Sequence, residues 1–133
     1  MPSTSYTIML DSSEAWARLR GRSYGRLAVS GSGQPDIFPI NFLADETRIL
    51  IRTEEGTKVE RIDANPLVAL EVDDASGESA WSVVVKGSAH RVTDPAELDS
   101  ARRAPLWAWA PEPKDVFLLV RPTEITGRMF GRS

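Results

Sequence analysis

The chain of 133 residues contains no cysteine and a single histidine, His90. Without cysteine there is no disulfide framework, thiolate zinc site, iron–sulfur cluster or cysteine nucleophile. With one histidine, a transition-metal site would need mostly carboxylate ligands, and a serine–histidine–aspartate triad would have to include His90. We therefore expect no metal site, and His90 is more typical of a structural or solvent-facing strand residue than of an acid–base group.

Long apolar runs and basic clusters are also missing. The longest apolar run has about five to six residues, whereas about 20 are needed to cross a bilayer. The first ten residues lack the basic start and apolar core of a signal peptide. The chain has 16 Lys and Arg residues and 19 Asp and Glu residues, which gives a net charge of −3. It has no run of basic residues of the kind that binds the phosphate backbone of a nucleic acid. The sequence predicts a cytoplasmic protein that binds neither membrane nor nucleic acid.

The length is that of one domain, residues 1–133, with a core large enough to fold without metal or disulfide. Alternating apolar residues predict strands at 25–29, 36–43, 48–52, 67–72, 81–92, 115–121 and 123–130. Helix signals predict short helices at 11–21, 57–65 and 94–101. Pro39 predicts that its strand lies at a sheet edge or carries a bulge, and Gly87 predicts a bulge in the strand 81–92. The acidic stretch 73–79 is predicted to be a loop.

Strands that follow one another through short turns favour antiparallel pairing. A chain of short strands with one apolar face commonly closes on itself, which removes its exposed edges. We therefore predict a mainly β protein, an antiparallel barrel of six to seven strands with short helices inserted.

The segment 51–58 combines a strand end, a glycine and two cations. Arg52 ends the predicted strand, Gly56 lies in the loop, and Lys58 lies in the first turn of the next helix. A helix N-terminus carries unpaired N–H groups and a positive dipole, so it can bind an anion together with the two side chains. This pattern predicts a phosphate site, although it lacks the glycine spacing of a P-loop.

An internal explanation of the same segment is equally supported by the residues alone. Thr57 and Glu60 have the spacing of a capping box, which would satisfy the same N–H groups. A lysine in the first turn of a helix is unfavourable with respect to the dipole and needs an anionic partner. Glu54 or Glu55 could be that partner in place of a phosphate.

Several short motifs follow one another along the chain. They are Pro39-Ile40-Asn41-Phe42, Ile51-Arg52-Thr53, Gly56-Thr57-Lys58, Asn65-Pro66-Leu67-Val68-Ala69, Trp81-Ser82-Val83-Val84-Val85-Lys86-Gly87 and Ile125-Thr126-Gly127-Arg128-Met129-Phe130. In this combination, over about residues 12–130, the sequence resembles the pyridoxamine phosphate oxidase-like flavin-binding split barrels. The resemblance implies a split β-barrel of the FMN-binding type and a homodimer with two flavin sites at the subunit interface.

The resemblance implies flavin mononucleotide (FMN) as the cofactor. Arg52 and Lys58 would hold its phosphate, and Thr53 and Thr57 would add hydroxyl or backbone bonds around Gly56. Short members of the family also include proteins that use a deazaflavin coenzyme with an anionic tail. The chain departs from the longer oxidases of vitamin B6 metabolism, since it lacks their additional basic and histidine residues for a pyridoxal phosphate substrate.

Contacts to the flavin ring are implied in the same way. Ile40 and Asn41 would present backbone groups to the ring, and Trp81 and Ser82 would come from the partner chain or line the rim. Trp107, in a proline- and tryptophan-rich connection, could stack on the ring or pack at the dimer seam.

These features predict a flavin-dependent oxidoreductase of an unidentified small molecule, with a nicotinamide dinucleotide or a partner reductase as the electron donor. A flavin supplies the redox chemistry itself, so no acid–base side chain is required. A deazaflavin-dependent reductase and a non-catalytic protein that binds flavin or haem are the alternatives, as is a dimerising barrel without a cofactor.

Overall fold

The computed structural model describes residues 4–106 and 116–132. These residues contain seven strands and three helices. In chain order they are β1 (Ser5–Leu10), α1 (Ser12–Arg20), β2 (Tyr24–Val29), β3 (Asp36–Ala44), β4 (Ile49–Thr53), α2 (Thr57–Ala64), β5 (Leu67–Ser76), β6 (Ser79–Arg91), α3 (Pro95–Arg103) and β7 (Val116–Arg132).

Six of the strands form a closed antiparallel ring in the order β7-β4-β3-β2-β5-β6, with β6 returning to β7. The long strand β7 makes this closure, because residues 116–120 pair with β4 and residues 118–131 pair with β6. Residues 127–132 of β7 also pair with β1. The predicted antiparallel barrel is confirmed, with the form of a split barrel.

The C-terminal strand differs from the prediction of two strands divided at Pro122. The structure has one continuous strand, in which Pro122 lies opposite Gly87 where the register between β6 and β7 shifts. Proline interrupts a regular ladder because it has no N–H to donate, but a bulge tolerates it. The predicted bulge at Gly87 is confirmed, and it explains why Pro122 does not end the strand.

The predicted loop 73–79 is also wrong. Strand β5 continues to Ser76 and β6 begins at Ser79, so only a tight turn with Gly77 at φ 60° connects them. The acidic side chains stand on the arms of this hairpin, and Asp74 pairs with Arg22 at 2.6 Å. Strand pairing between β5 and β6, with this ion pair to the connection before β2, thus gives extended backbone where composition favours a loop.

Helices α1 and α3 begin within one residue of the predicted starts at 11 and 94. The carboxylate of Asp11 accepts from the Glu14 amide at 2.8 Å at the start of α1, and Asp94 accepts from the Glu97 amide at 3.0 Å at the start of α3. Such caps stabilise a helix by about 1 kcal/mol. Among the described residues, none of the helices is both long and apolar enough to span a membrane.

The core fills the inside of the ring. Its fully buried side chains come from every strand of the ring and include Leu27, Phe42, Ile51, Leu70, Val85 and Leu118. Helix α1 adds Leu19 and helix α2 adds Ile62 to this core. A second, smaller cluster lies outside the ring, where α3 covers β4 and β7 and buries Phe117 and Leu119.

Helices α1 and α2 lie at different ends of the barrel. Arg18 of α1 contacts Trp81 near the start of β6, whereas Asp63 of α2 bonds Arg91 at the end of β6. Ten residues of strand separate these two contacts, about 33 Å along an extended chain. The end of the barrel covered by α2 carries the candidate site.

Strand β3 is only half enclosed. Residues 36–41 pair with β2, whereas β4 pairs only with residues 42–44. Within the described ranges, one backbone edge of residues 36–41 therefore has no strand partner. The edge position predicted for Pro39 is confirmed, since Pro39 pairs with Arg26 on β2 alone.

Candidate functional site

The candidate site lies where β4 ends and α2 begins. Gly56 is the N-cap of α2, with φ 157° and ψ −164°, a conformation that side-chain-bearing residues rarely adopt. Among residues 4–106 and 116–132, no side chain hydrogen-bonds to the first turn of α2 as a cap. The capping-box alternative is therefore wrong, because Thr57 is the first helical residue rather than the cap. The start of α2 keeps the N–H groups and positive dipole that attract anions.

Lys58 is held at this helix start by two contacts. Its Nζ donates to Oγ1 of Thr53 at 3.0 Å and lies 5.5 Å from the centre of the Phe38 ring. Thr53 is 5% exposed and Lys58 is partly buried. The ammonium group therefore sits beside the open edge of β3 in a defined place.

Arg52 lies on the other face of β4. Burial alternates along this strand, so the side chains of Ile51 and Thr53 face the core while that of Arg52 faces outward. The Arg52 guanidinium carbon is 5.5 Å from the centre of the Phe117 ring, in the cluster under α3. A single anion reached by both Arg52 and Lys58 must therefore lie beyond the end of β4, in line with the start of α2.

A third cation, Arg91, reaches the same loop from the end of β6. Its guanidinium bonds both oxygens of Glu55, one of them through Nη2 at 3.0 Å, and it bonds Asp63 from Nη2 at 2.9 Å. These hydrogen bonds from Arg91 hold the pKa values of the Glu55 and Asp63 carboxyls below their ordinary range. The sequence gives no local sign of this role for Arg91, because its partners are 36 and 28 positions away.

The predicted ring-contact residues, Ile40 and Asn41, follow Phe38, the residue that Lys58 contacts, by two and three positions along β3. Ile40 is 4% exposed, so its side chain belongs to the core and it can offer a ligand only backbone groups. Asn41 faces outward, and its Nδ2 donates to the Ser23 carbonyl at 3.4 Å. Both residues lie in the part of β3 that has a single strand partner.

Trp81 and Ser82 lie at the other end of the barrel from Lys58. The guanidinium groups of Arg18 and Arg22 are 5.3 and 5.2 Å from the centre of the Trp81 ring. One chain therefore does not bring Trp81 and Ser82 together with the cluster around α2. Trp107 lies outside the described residues.

Comparison with known proteins identifies relatives in sequence and in fold. A sequence model of the pyridoxamine 5′-phosphate oxidase family matches residues 11–129. A candidate pyridoxamine 5′-phosphate oxidase from Corynebacterium glutamicum is 39% identical with a TM-score of 0.86, over 95% of this chain and 99% of that one. The FAD-binding protein of Mycobacterium smegmatis is 40% identical with a TM-score of 0.77, over 95% and 98%. An FAD-binding protein of Mesorhizobium loti is 26% identical with a TM-score of 0.85, over 96% and 99%.

Proposed function

Because this chain belongs to the pyridoxamine 5′-phosphate oxidase family, we propose that it is a flavin-nucleotide-binding oxidoreductase that works as a homodimer. The observation that carries the proposal is the cluster at the start of α2. There the Lys58 ammonium, which donates to Thr53 at 3.0 Å, lies in the first turn of a helix for which the described part of the chain supplies no side-chain cap.

The chemistry of this cluster fits a phosphate. Lys58 and the outward-facing Arg52 flank the end of β4, and the hydroxyls of Thr53 and Thr57 with the amides after Gly56 add neutral donors. A lysine in a helix's first turn is unfavourable with respect to the dipole, and a bound phosphate removes that conflict. The carboxylate of Glu55 is engaged by Arg91 instead, and Glu54 remains the internal alternative to a phosphate.

The remainder of the nucleotide would follow β3. From Phe38, which lies under Lys58, to Ile40 and Asn41 the strand advances two to three residues, about 7 to 10 Å. A five-carbon ribityl chain spans a distance of this order. The backbone edge of this part of β3 has no strand partner among the described residues, so Ile40 and Asn41 can present backbone groups to the flavin ring.

A bound flavin would supply the redox chemistry, taking up and returning a hydride or electrons. The chain's own residues would bind the phosphate, orient the ring and exclude water, and none needs to act as an acid or base. The substrate is a small molecule, with a nicotinamide dinucleotide or a partner reductase as the electron donor.

The proposed dimer forms through the outer face of β2, β3 and β5. Ile37 and Leu67 are 69% and 64% exposed on this face. Between them, Ala28 and Ala69 line two adjoining depressions of about 340 and 270 Å³. The second depression is also lined by Arg26 and its carboxylate partners Glu71 and Asp73, and exposed apolar residues rimmed by polar ones commonly mark an interaction site. Asn41 also faces outward, next to this surface on β3, which supports a second copy near the flavin ring and a role for the partner's Trp81 and Ser82.

FAD is the second candidate cofactor, favoured by the two FAD-binding relatives at 40% and 26% identity. FMN, FAD and the deazaflavin coenzyme all carry a phosphate next to the ribityl chain. The cluster at α2 fits that shared group, so the choice among them depends on contacts beyond it.

The visible spectrum of the purified protein tests this proposal. We expect oxidised-flavin absorption, either as purified or after adding FMN or FAD, and a released chromophore with the mass of the nucleotide. A deazaflavin or haem spectrum would contradict the proposed cofactor. A protein that remains colourless and binds none of the added flavins would contradict flavin binding altogether.

Trp107 provides a further expected result. If Trp107 stacks near the flavin ring, added flavin quenches tryptophan fluorescence, and Trp107→Phe removes more of this quenching than Trp16→Phe does. Trp16 is a suitable control because it packs against the core from α1. Equal losses of quenching in the two variants would assign Trp107 a packing role only.

A further inference from the structure

Arg91 joins the loop before α2, the last turn of α2 and the end of β6. Its Nη1 and Nη2 form a fork on Glu55, and its Nε and Nη2 bond Asp63 at 3.2 and 2.9 Å. All three guanidinium nitrogens are thus engaged by carboxylates. Arg91 extends from a strand of the closed ring, where it pairs with Leu118 of β7, so its backbone is firmly placed.

The position of Glu55 makes this contact relevant to the phosphate site. Glu55 directly precedes Gly56, the N-cap of α2, and lies three residues before Lys58. Once released from Arg91, a carboxylate at this sequence position could turn toward the Lys58 ammonium and the N–H groups at the helix start. The Glu55 carboxylate would then occupy the phosphate site as an internal anion and would repel a phosphate group.

We propose that Arg91 is a positioning residue for the phosphate site, which holds the Glu55 carboxylate away from Lys58 and leaves the start of α2 open to a bound anion. This inference rests on the proposed function, since it assigns Arg91 a role in the phosphate binding proposed there.

Two features of the contact support this role. The hydrogen bonds from Arg91 lower the pKa of Glu55, as expected for a carboxylate that a guanidinium holds in its charged form, and a glutamate with its ordinary pKa stays charged at neutral pH after release. The planar fork of Arg91 bonds Glu55 and Asp63 together, which the point charge of a lysine does not reproduce. Arg91 binds carboxylates with every guanidinium nitrogen, which argues against a direct contact of Arg91 with the phosphate.

A double-mutant cycle tests the proposal with Arg91→Gln, Glu55→Gln and the double variant. Arg91→Gln releases Glu55, so we expect FMN affinity to fall about tenfold, equivalent to about 1.4 kcal/mol. Riboflavin affinity should stay within about twofold, because riboflavin carries no phosphate. Adding Glu55→Gln removes the competing charge and should restore FMN affinity to within about threefold of that of the single Glu55→Gln variant.

Asp63→Asn is the matched control. It also removes a carboxylate partner of Arg91, but Asp63 lies in the last turn of α2, away from Gly56 and Lys58. We expect little change in the ratio of FMN to riboflavin affinity. A loss in Arg91→Gln that Glu55→Gln does not rescue, or equal losses for both ligands together with a lower melting temperature, would overturn the proposal.

A flavin-free measurement separates this inference from the proposed function. Inorganic phosphate is titrated into the wild type and Arg91→Gln, and the backbone amide resonances of Thr57 and Lys58 are followed by NMR. We expect larger shifts at lower phosphate concentration in the wild type. Equal shifts in the two proteins, or none in either, would overturn the role of Arg91. Failure of the wild type to bind any flavin contradicts only the proposed function.

Discussion

Arg52→Ala is expected to weaken FMN binding by about 10- to 150-fold while leaving riboflavin affinity nearly unchanged. A charge-assisted hydrogen-bonded contact to phosphate contributes about 1.5 to 3 kcal/mol, and about 1.4 kcal/mol corresponds to a tenfold change in affinity. Arg52 is the penultimate residue of β4, and its guanidinium lies over the Phe117 ring, so it can reach an anion placed beyond the strand end. Titrating both ligands against the wild type and the variant measures the effect.

Two further variants control this experiment. Arg52→Lys should recover only part of the loss, because a point charge replaces the fork of the guanidinium. Arg48→Ala removes an arginine from the β3–β4 turn, where Arg48 pairs with Asp45 at 3.5 Å, and should affect neither ligand. If Arg52 instead braces the loop, Arg52→Ala weakens both ligands equally and lowers the melting temperature without cofactor. That result would contradict the phosphate contact.

Leu67→Arg is expected to convert the dimer to a monomer and to abolish most flavin binding. Leu67 is 64% exposed at the apolar end of the outer face of β5, so the substitution leaves an isolated chain intact but places an unpaired charge in the proposed interface. Such a buried, unpaired charge costs about 2 to 5 kcal/mol, which raises the dimer dissociation constant by about 30-fold to several thousand-fold. Light scattering at micromolar concentration should show twice the chain mass for the wild type and one chain mass for the variant.

Met9→Arg is the matched control for Leu67→Arg. Met9 is 61% exposed on β1, outside the proposed interface, so Met9→Arg should remain dimeric and bind flavin normally. A wild-type monomer that binds flavin fully would contradict the interface site. Dissociation by Met9→Arg but not by Leu67→Arg would place the interface on β1 instead.

Features with local causes could be predicted from the sequence. The caps Asp11 and Asp94 act on amides three residues away, and the bulge at Gly87 follows from one residue type in a strand. Their determinants lie within a few neighbouring residues, so tertiary contacts did not alter them. The capping box at Thr57 is the exception, since the conformation of Gly56 starts the helix one residue earlier than that pattern requires.

Features that depend on strand pairing could not be predicted in the same way. Five of the six residues of β1 are exposed, so this strand shows no alternation of burial and exists because β7 supplies its hydrogen bonds. The continuity of β7 through Pro122 depends on Gly87, which lies on a different strand. Pairing partners such as these are distant in sequence and leave no local pattern.

For the candidate site, the sequence alone determined which residue types stand at the end of β4 and the start of α2, and its resemblance to a family indicated what they would bind. Only the tertiary structure decided how those side chains are arranged. The alternation of β4 sends Arg52 and Thr53 to opposite faces, closure of the ring places Phe38 under Lys58, and Arg91 reaches Glu55 from 36 residues away. These contacts form only when the barrel closes, because closure brings β3, β4, β6 and α2 to one end of the molecule.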